Sequence, residues 1–154
     1  MYECTFALNN KPMSAFKIKS GPSFPAFSGL DSHTNRIVSA CMPGVGPIPP
    51  GTYYIFDRQS GGLIGLLPSI FDDHSNWFAL HAIDGKIDDE TFCNQVKRGR
   101  FRLHPKGPRG ISQGCITVES SRDYTHLREI LKRTAPMEVP GSTLQAYGKV
   151  TVIY

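Results

Sequence analysis

The chain has 154 residues, of which 40% are hydrophobic and 19% are charged, and its formal net charge is +4. This length supports one domain with a buried core, so we expect residues 1–154 to form a single unit. The basic residues are scattered and no basic run with interleaved aromatic residues occurs, which argues against nucleic-acid binding. No apolar run approaches transmembrane length, so membrane insertion is not expected either.

The first third of the chain is typical of a β-rich fold. Strands are predicted where apolar and polar residues alternate, at 2–8, 14–19, 36–41 and 52–57. The stretch 21–29 is punctuated by Pro and Gly and is expected to be a connection whose Phe24 and Phe27 fill the core.

The middle of the chain is harder to interpret. Residues 59–76 show no clear pattern, and the run Asp72-Asp73-His74 imitates a metal site. Adjacent ligands in a loop make a poor cage, so no metal and no other cofactor is expected. A strand is predicted at 77–83, and it carries Trp77 and His81.

A short helix is predicted at 88–98, because Asp88 can cap its start and basic residues complement its end. Two interpretations of the surrounding segment 84–99 remain open: a lid over a cleft, or a crossover helix packed on the core. A second helix at 121–133 has a clear apolar stripe and is capped by Ser120 or Ser121. A final strand is expected at 149–154.

Three of the four cysteines, Cys4, Cys41 and Cys93, form no Cys-x-x-Cys pair, which argues against a zinc ribbon or a thioredoxin-like motif. We expect them to be buried thiols. The alternative is that two of the three pair in an oxidising compartment.

The fourth cysteine belongs to the most informative part of the chain. A strand at 101–104 ends in His104, a turn rich in Gly and Pro follows, and Cys115 begins an apolar strand at 116–118. We predict that the two strands are antiparallel and bring the imidazole of His104 within hydrogen-bond reach of the Cys115 sulfur. Such a pair converts a thiol into a nucleophilic thiolate.

The residues before this cysteine suit the same chemistry. Gly114 permits a sharp turn, so the backbone N–H groups of Gln113, Gly114 and Cys115 are expected to converge on an oxyanion. Ser112 is expected to brace the loop or the histidine. An isolated cysteine after a glycine is more often a small buried hydrophobic residue, but the joint pattern favours catalysis.

The run Ser112-Gln-Gly-Cys115-Ile resembles the Ser/Thr-x-Gly-Cys elbow of the YkuD-type L,D-transpeptidases of bacterial cell-wall metabolism. The short loop and the lead-in that ends in His104 resemble one branch, the type VI secretion L,D-transpeptidase effectors, which are antibacterial toxins that act on peptidoglycan. The likeness extends to 24–29 and 77–85, and 48–53 is similar to the Pro-x-Gly-x-Tyr strand entry of the wider family. It therefore covers most of the chain.

This resemblance implies a mainly β fold, a sandwich or collapsed barrel of the L,D-transpeptidase type with two short α-helices. It implies that Cys115 attacks the carbonyl of meso-diaminopimelate in a tetrapeptide stem, with release of D-alanine, and that water, a D-amino acid or a second stem resolves the thioester. His81 is a second candidate base. His104 is preferred because it leads directly into the elbow, and His81 and Trp77 are then expected to line the cleft.

The chain departs from the common enzymes at two positions. Those enzymes usually have His before Gly-Cys and Arg soon after it, whereas this chain has Gln113 and Thr117. The family's contact to a substrate carboxylate therefore does not carry over. The cations left for the stem carboxylates are Arg102, Lys106 and Arg109, which are otherwise ordinary surface charges.

Two other classes of function stay open. One is a Cys-His peptidoglycan amidase or endopeptidase of the NlpC/P60 or papain type, although those families place Cys before His along the chain. The other is a wall-binding module without catalysis. The start of the chain shows no secretory signal pattern. We expect synthesis in the cytoplasm, and the resemblance implies export by the type VI secretion machinery, action in a target periplasm and a cognate immunity protein.

Overall fold

The computed structural model describes residues 1–58, 76–107 and 113–154. The predicted features within 59–75, including Asp72-Asp73-His74, and the predicted site residues Arg109 and Ser112 lie outside the described residues.

The described residues form eleven strands, one α-helix and two short 3-10 helices. The strands are β1 (Tyr2–Ala7), β2 (Ser14–Ile18), β3 (Ser23–Phe27), β4 (Gly51–Asp57), β5 (Phe78–Ala82), β6 (Glu90–Cys93), β7 (Val96–Gly99), β8 (Arg102–Pro105), β9 (Ile116–Val118), β10 (Met137–Glu138) and β11 (Gln145–Ile153). The α-helix is α1 (Ser121–Lys132), and the 3-10 helices span Asp31–His33 and Ile37–Ser39.

Eight of the strands close into a barrel. Their order is β1-β2-β3-β9-β8-β5-β4-β11, and a parallel pairing of β1 with β11 completes the circle, while β10 extends the sheet from β11. Closure leaves these strands without exposed edges. The prediction of a mainly β fold is therefore confirmed.

The core consists of residues that alternate along the strands, as a period of two requires. Phe6, Phe16, Ile55, Leu80 and Leu103 are all at most 1% exposed. Four residues of α1 join the same cluster: Tyr124, Leu127, Ile130 and Leu131. The predicted apolar stripe of this helix is thus confirmed, and the side chain of Ser120 caps its start by accepting from the amide of Asp123. No helix of the described residues has the length and apolarity that a membrane crossing requires.

Two predictions about the first third of the chain were wrong. Residues 36–41 contain the 3-10 helix Ile37–Ser39 instead of a strand, because the chain turns sharply around the buried Asn35, whose side chain bonds the backbone of Lys11 and Ser28. The predicted connection 21–29 contains β3. Pro25 is an exposed position of this strand, while Phe24 and Phe27 are buried as expected.

The predicted helix at 88–98 was also wrong. This segment is a hairpin of β6 and β7, joined by Asn94 and Gln95, both of which have positive φ (47° and 66°). Two such residues in succession form the turn that best suits a two-residue hairpin. Two of the charged residues in this segment, Glu90 and Lys97, pair across the strands at 2.8 Å. The described residues therefore contain one α-helix, not two.

The relation of the two strands around the Gly- and Pro-rich turn differs from the prediction as well. β8 and β9 are adjacent but parallel, with Leu103 opposite Ile116 and His104 opposite Thr117. A tight turn between neighbouring strands would give an antiparallel pair. The ten residues 106–115 are too many for such a turn.

The expectation of three buried thiols was wrong in two of three cases. Cys41 and Cys93 form a disulfide across 52 residues of sequence, which ties the loop after the second 3-10 helix to β6. Sequence alone does not specify such a pairing, because it depends on the approach of two distant segments. Cys4 is a buried thiol, as expected.

We expect loss of the disulfide to lower the free energy of unfolding by about 4 kcal/mol, because the reduced unfolded chain regains the entropy of a loop of this length. Denaturant unfolding of the double variant Cys41→Ser/Cys93→Ser, compared with the unchanged chain, measures this difference. Cys4→Ser keeps the disulfide, and it should remain sensitive to reductant. Identical unfolding curves for the double variant and the unchanged chain would contradict the assignment.

Candidate functional site

The site is built around β8, which lies between β5 and β9 in the barrel. Leu103 at its centre is fully buried in the core, so the neighbours Arg102 and His104 lie on the opposite face of the strand. His104 is nevertheless only 6% exposed. The ring of Trp77 covers it, stacked at 4.1 Å between centroids with an angle of 17° between planes.

A hydrogen bond fixes the tautomer of this histidine. Nδ1 of His104 lies 2.7 Å from the carbonyl oxygen of Pro105. Because a carbonyl only accepts, Nδ1 has to carry the proton, and the lone pair of the neutral ring is therefore on Nε2. A histidine held in this way is oriented to act as a base through Nε2.

Cys115 directly precedes β9, and the register of β9 with β8 places it beside Arg102. Its sulfur lies 4.0 Å from the carbonyl oxygen of Arg100 and accepts a hydrogen bond from the backbone N–H of Arg102. Burial raises the pKa of the Cys115 thiol, and the N–H and the positive charge of Arg102 oppose that rise. The resting group at neutral pH is thus a thiol, which requires a base before it can attack.

The parallel register sets the relation of the two groups. Thr117 lies opposite His104 and Cys115 is two residues earlier, so the histidine and the cysteine are diagonal neighbours on adjacent strands. The structure therefore brings His104 and Cys115 to the same part of the barrel wall, although by a parallel pairing where an antiparallel one was expected.

The residue before the cysteine has to be glycine. Gly114 has φ +90°, and a Cβ on it would lie 2.8 Å from Nη2 of Arg98 and 3.2 Å from the ring of Phe101. A side chain would thus combine backbone strain with a steric clash. Gly114 is buried, and Gln113 before it is exposed.

A second group of polar side chains surrounds the guanidinium of Arg102. This guanidinium donates to both carboxylate oxygens of Asp89, at 2.8 and 2.7 Å, and the bidentate pair raises the pKa of Arg102. Nε2 of His81 lies 3.6 Å from the same carboxylate. Burial lowers the pKa of His81 more than Asp89 raises it, so this imidazole is neutral at neutral pH.

These three residues line an open pocket of about 170 Å³, together with Phe56, Asp57, Ala79 and Leu144. Nδ1 of His81 is buried and has no hydrogen-bond partner among the described residues. The pocket offers a guanidinium, a carboxylate and an imidazole next to the backbone that contacts the Cys115 sulfur, and its apolar wall suits a small side chain.

The cationic residues that were predicted to bind the substrate carboxylates lie in different environments. Arg102 lines the pocket, while Lys106 pairs with Glu119 at 3.0 Å on the surface. Sequence reasoning missed Asp89 and Arg98, both of which fall within the predicted helix at 88–98. No pattern in the sequence identifies either, because each acts through the hairpin of β6 and β7.

Among residues 1–58, 76–107 and 113–154, no group of three or more His, Cys, Asp or Glu side chains is arranged to hold a metal ion. The polar side chains that line the pocket are arranged around the guanidinium of Arg102.

Comparison with protein families gives a match. The model of the Tlde1 domain matches residues 22–142, well over half of the chain. The chain belongs to the Tlde1 domain family. This is the family of type VI secretion L,D-transpeptidase effectors, which confirms the resemblance to secreted effectors. Comparison with curated proteins and with solved structures gives no match.

The electrostatics of the cysteine lead to a prediction about its reaction with an alkylating reagent. Because burial raises the pKa of Cys115, alkylation should be slower at neutral pH than that of an exposed cysteine and should accelerate as the pH rises. Arg102→Met removes a charge that lowers this pKa, and it should move the midpoint of the rate profile to higher pH.

Mass spectrometry of the alkylated peptide, over about pH 6 to 10, measures the profile. Cys4 is buried and its pKa is raised to about 12, so it should not contribute. Arg36→Met, which removes an exposed cation, is the charge-matched control. A profile that is the same in Arg102→Met and in the unchanged chain would contradict the assigned influence of Arg102.

Proposed function

We propose that the protein is a cysteine-dependent L,D-carboxypeptidase and L,D-transpeptidase that acts on the tetrapeptide stems of peptidoglycan as a type VI secretion effector. The observation that supports this most is the state of His104: its Nδ1 bond to Pro105 leaves a lone pair on Nε2, on the strand next to a cysteine at a glycine elbow. Membership of the Tlde1 domain family supports the cell-wall target.

In the first half of the proposed reaction, Nε2 of His104 removes the proton of the Cys115 thiol. The sulfur then attacks the carbonyl carbon of the third stem residue, and the π electrons move to oxygen. Backbone N–H groups of the elbow at Gln113, Gly114 and Cys115 stabilise this oxyanion. The tetrahedral intermediate collapses, the C–N bond breaks, and the imidazolium gives its proton to the departing amine of D-alanine.

The second half is the reverse of the first with another nucleophile. Water, a D-amino acid or the amine of a second stem attacks the thioester, and His104 accepts the proton of the attacking group. The C–S bond breaks, and the imidazolium of His104 gives its proton to the released thiolate, which restores the thiol. Water gives carboxypeptidase activity, a D-amino acid gives exchange and a second stem gives transpeptidation.

The 170 Å³ pocket is the proposed binding site for a charged end of the substrate. Arg102 lies opposite Cys115 on the neighbouring strand, and Asp89 pairs with it. The two side chains offer opposite charges near the reacting sulfur, which suits a group that carries both a carboxylate and an ammonium. His81 borders the same pocket and Trp77 covers His104. Of the other predicted cations, Lys106 is engaged with Glu119, and Arg109 stays a prediction, as does Ser112.

The segment 84–99 takes part in this site through Asp89, at the entrance to the hairpin. We propose that this segment forms one wall of the cleft and acts as its lid. We also propose that residues 1–154 act as one catalytic domain. An immunity protein of the producing cell would inhibit most simply by covering the cleft at His104 and Cys115.

Substitution of the two reacting groups provides the direct test. Cys115→Ala should abolish turnover of tetrapeptide muropeptides, and His104→Ala should lower it by about 10²- to 10⁴-fold, since general base catalysis contributes that much. Product masses report the reaction: loss of one D-alanine for hydrolysis, or its replacement for exchange.

His126→Ala removes an exposed histidine on α1 and is the matched control, which should leave turnover unchanged. A chelator should have no effect. Products cut between sugar and peptide would favour an amidase instead, and muropeptide turnover that survives Cys115→Ala would disprove the thioester mechanism.

The compartment of the substrate provides an independent test in living cells. Expressed in the bacterial cytoplasm, the protein should be nearly harmless, because mature tetrapeptide stems are not cross-linked there. Fused to a periplasmic signal peptide, it should cause swelling or lysis, and Cys115→Ala should cancel this effect. Growth curves at matched expression measure the difference. Equal toxicity in the cytoplasm, or toxicity without the thiol, would contradict a cell-wall effector.

A further inference from the structure

Arg98, at the end of β7, takes no part in the proposed chemistry and yet is buried beside it. It is only 5% exposed. Its guanidinium donates to three backbone carbonyl oxygens, those of Ala40, Gly46 at 3.2 Å and Pro47 at 3.3 Å. No carboxylate of the described residues pairs with it. A buried cation held only by neutral acceptors is costly, so this position requires an explanation.

The other side of the guanidinium faces the elbow. Its central carbon lies 5.5 Å from the ring centre of Phe101. Nη2 occupies the space that a side chain on Gly114 would need, since a Cβ there would lie 2.8 Å from it. Arg98 therefore occupies the space next to Gly114, the residue before Cys115, into which a side chain at that position would extend.

We propose that Arg98 is a positioning residue for the reaction at Cys115. It joins the loop 40–47 to the elbow and holds Gly114 in the φ +90° conformation from which Cys115 and its N–H group are directed. This inference rests on the proposed function only in assigning the reaction to Cys115. It concerns a residue to which the proposed mechanism assigns no contact with the substrate or the sulfur.

The chemistry of arginine suits this task. A planar guanidinium with five N–H donors reaches several carbonyls at fixed angles, whereas the ammonium of lysine is a single point. The disulfide acts on the same parts: Cys41 follows Ala40, and Cys93 belongs to β6, the partner strand of β7. The loop that holds Arg98 and the hairpin that carries it are thus tied covalently as well.

The test compares Arg98→Met, Arg98→Lys and the unchanged chain, at a temperature well below the unfolding midpoint of each. Arg98→Met should lower kcat on muropeptides by about 100-fold with KM changed by no more than about threefold, as expected for a misplaced reacting group. Arg98→Lys should restore turnover only in part and keeps the test available if Arg98→Met does not fold.

A second readout separates positioning from mere destabilisation. Burial raises the pKa of Cys115, so an elbow that loosens should expose the sulfur and move its alkylation profile to lower pH while turnover falls. Val152→Ala truncates a buried residue of β11 away from the elbow, and it should lower the unfolding midpoint with neither effect.

Every result of these experiments either supports the inference about Arg98 or contradicts it. Turnover retained in Arg98→Met, loss of turnover without a change in alkylation, full rescue by lysine, or the same two changes in Val152→Ala would each overturn the inference. Failure of the proposed function is recognised separately, because Cys115→Ala would then keep its activity.

Discussion

The in-register contact of Leu103 with Ile116 in the barrel core is the constraint on which the site depends. A slip of one residue would turn Leu103 out of the core and bring a polar neighbour in, at a cost of several buried contacts. The register is therefore fixed by packing. Its consequence on the other face is that Cys115 lies beside Arg102 and that His104 lies opposite Thr117, so the core determines the geometry of the polar groups.

The sequence specified the parts of the site that depend on local pattern. His104 at the end of a strand, Gly114 at a turn and Cys115 before an apolar strand are all readable because a period of two and a glycine requirement extend over a few residues. The same reasoning predicted α1 with its stripe, since Tyr124, Leu127 and Leu131 recur at helical spacing.

Local pattern failed where long-range pairing decided the structure. The charges of 88–98 fit the ends of a helix, but the positive φ of Asn94 and Gln95 and the attachment of Asp89 to Arg102 favour a hairpin, and neither is visible without the barrel. The direction of β9 relative to β8 depends on its place in the barrel, where it pairs with β3 on one side and with β8 on the other. The disulfide likewise depends on how the loop that contains Cys41 approaches the hairpin.

The two arginines near Cys115 show how charge is distributed around a neutral thiol. Arg102 is balanced by Asp89, so it offers a dipole to the sulfur and to the pocket, and its net effect on the thiol pKa is smaller than that of burial. No carboxylate of the described residues balances Arg98, which is surrounded by carbonyl oxygens and by the ring of Phe101. A full positive charge directed at the sulfur would stabilise a resting thiolate and expose it to oxidation. Burial of the sulfur raises the pKa of Cys115, and the pairing of Arg102 with Asp89 limits the opposing effect of that arginine, so the thiol stays protonated until a base removes its proton.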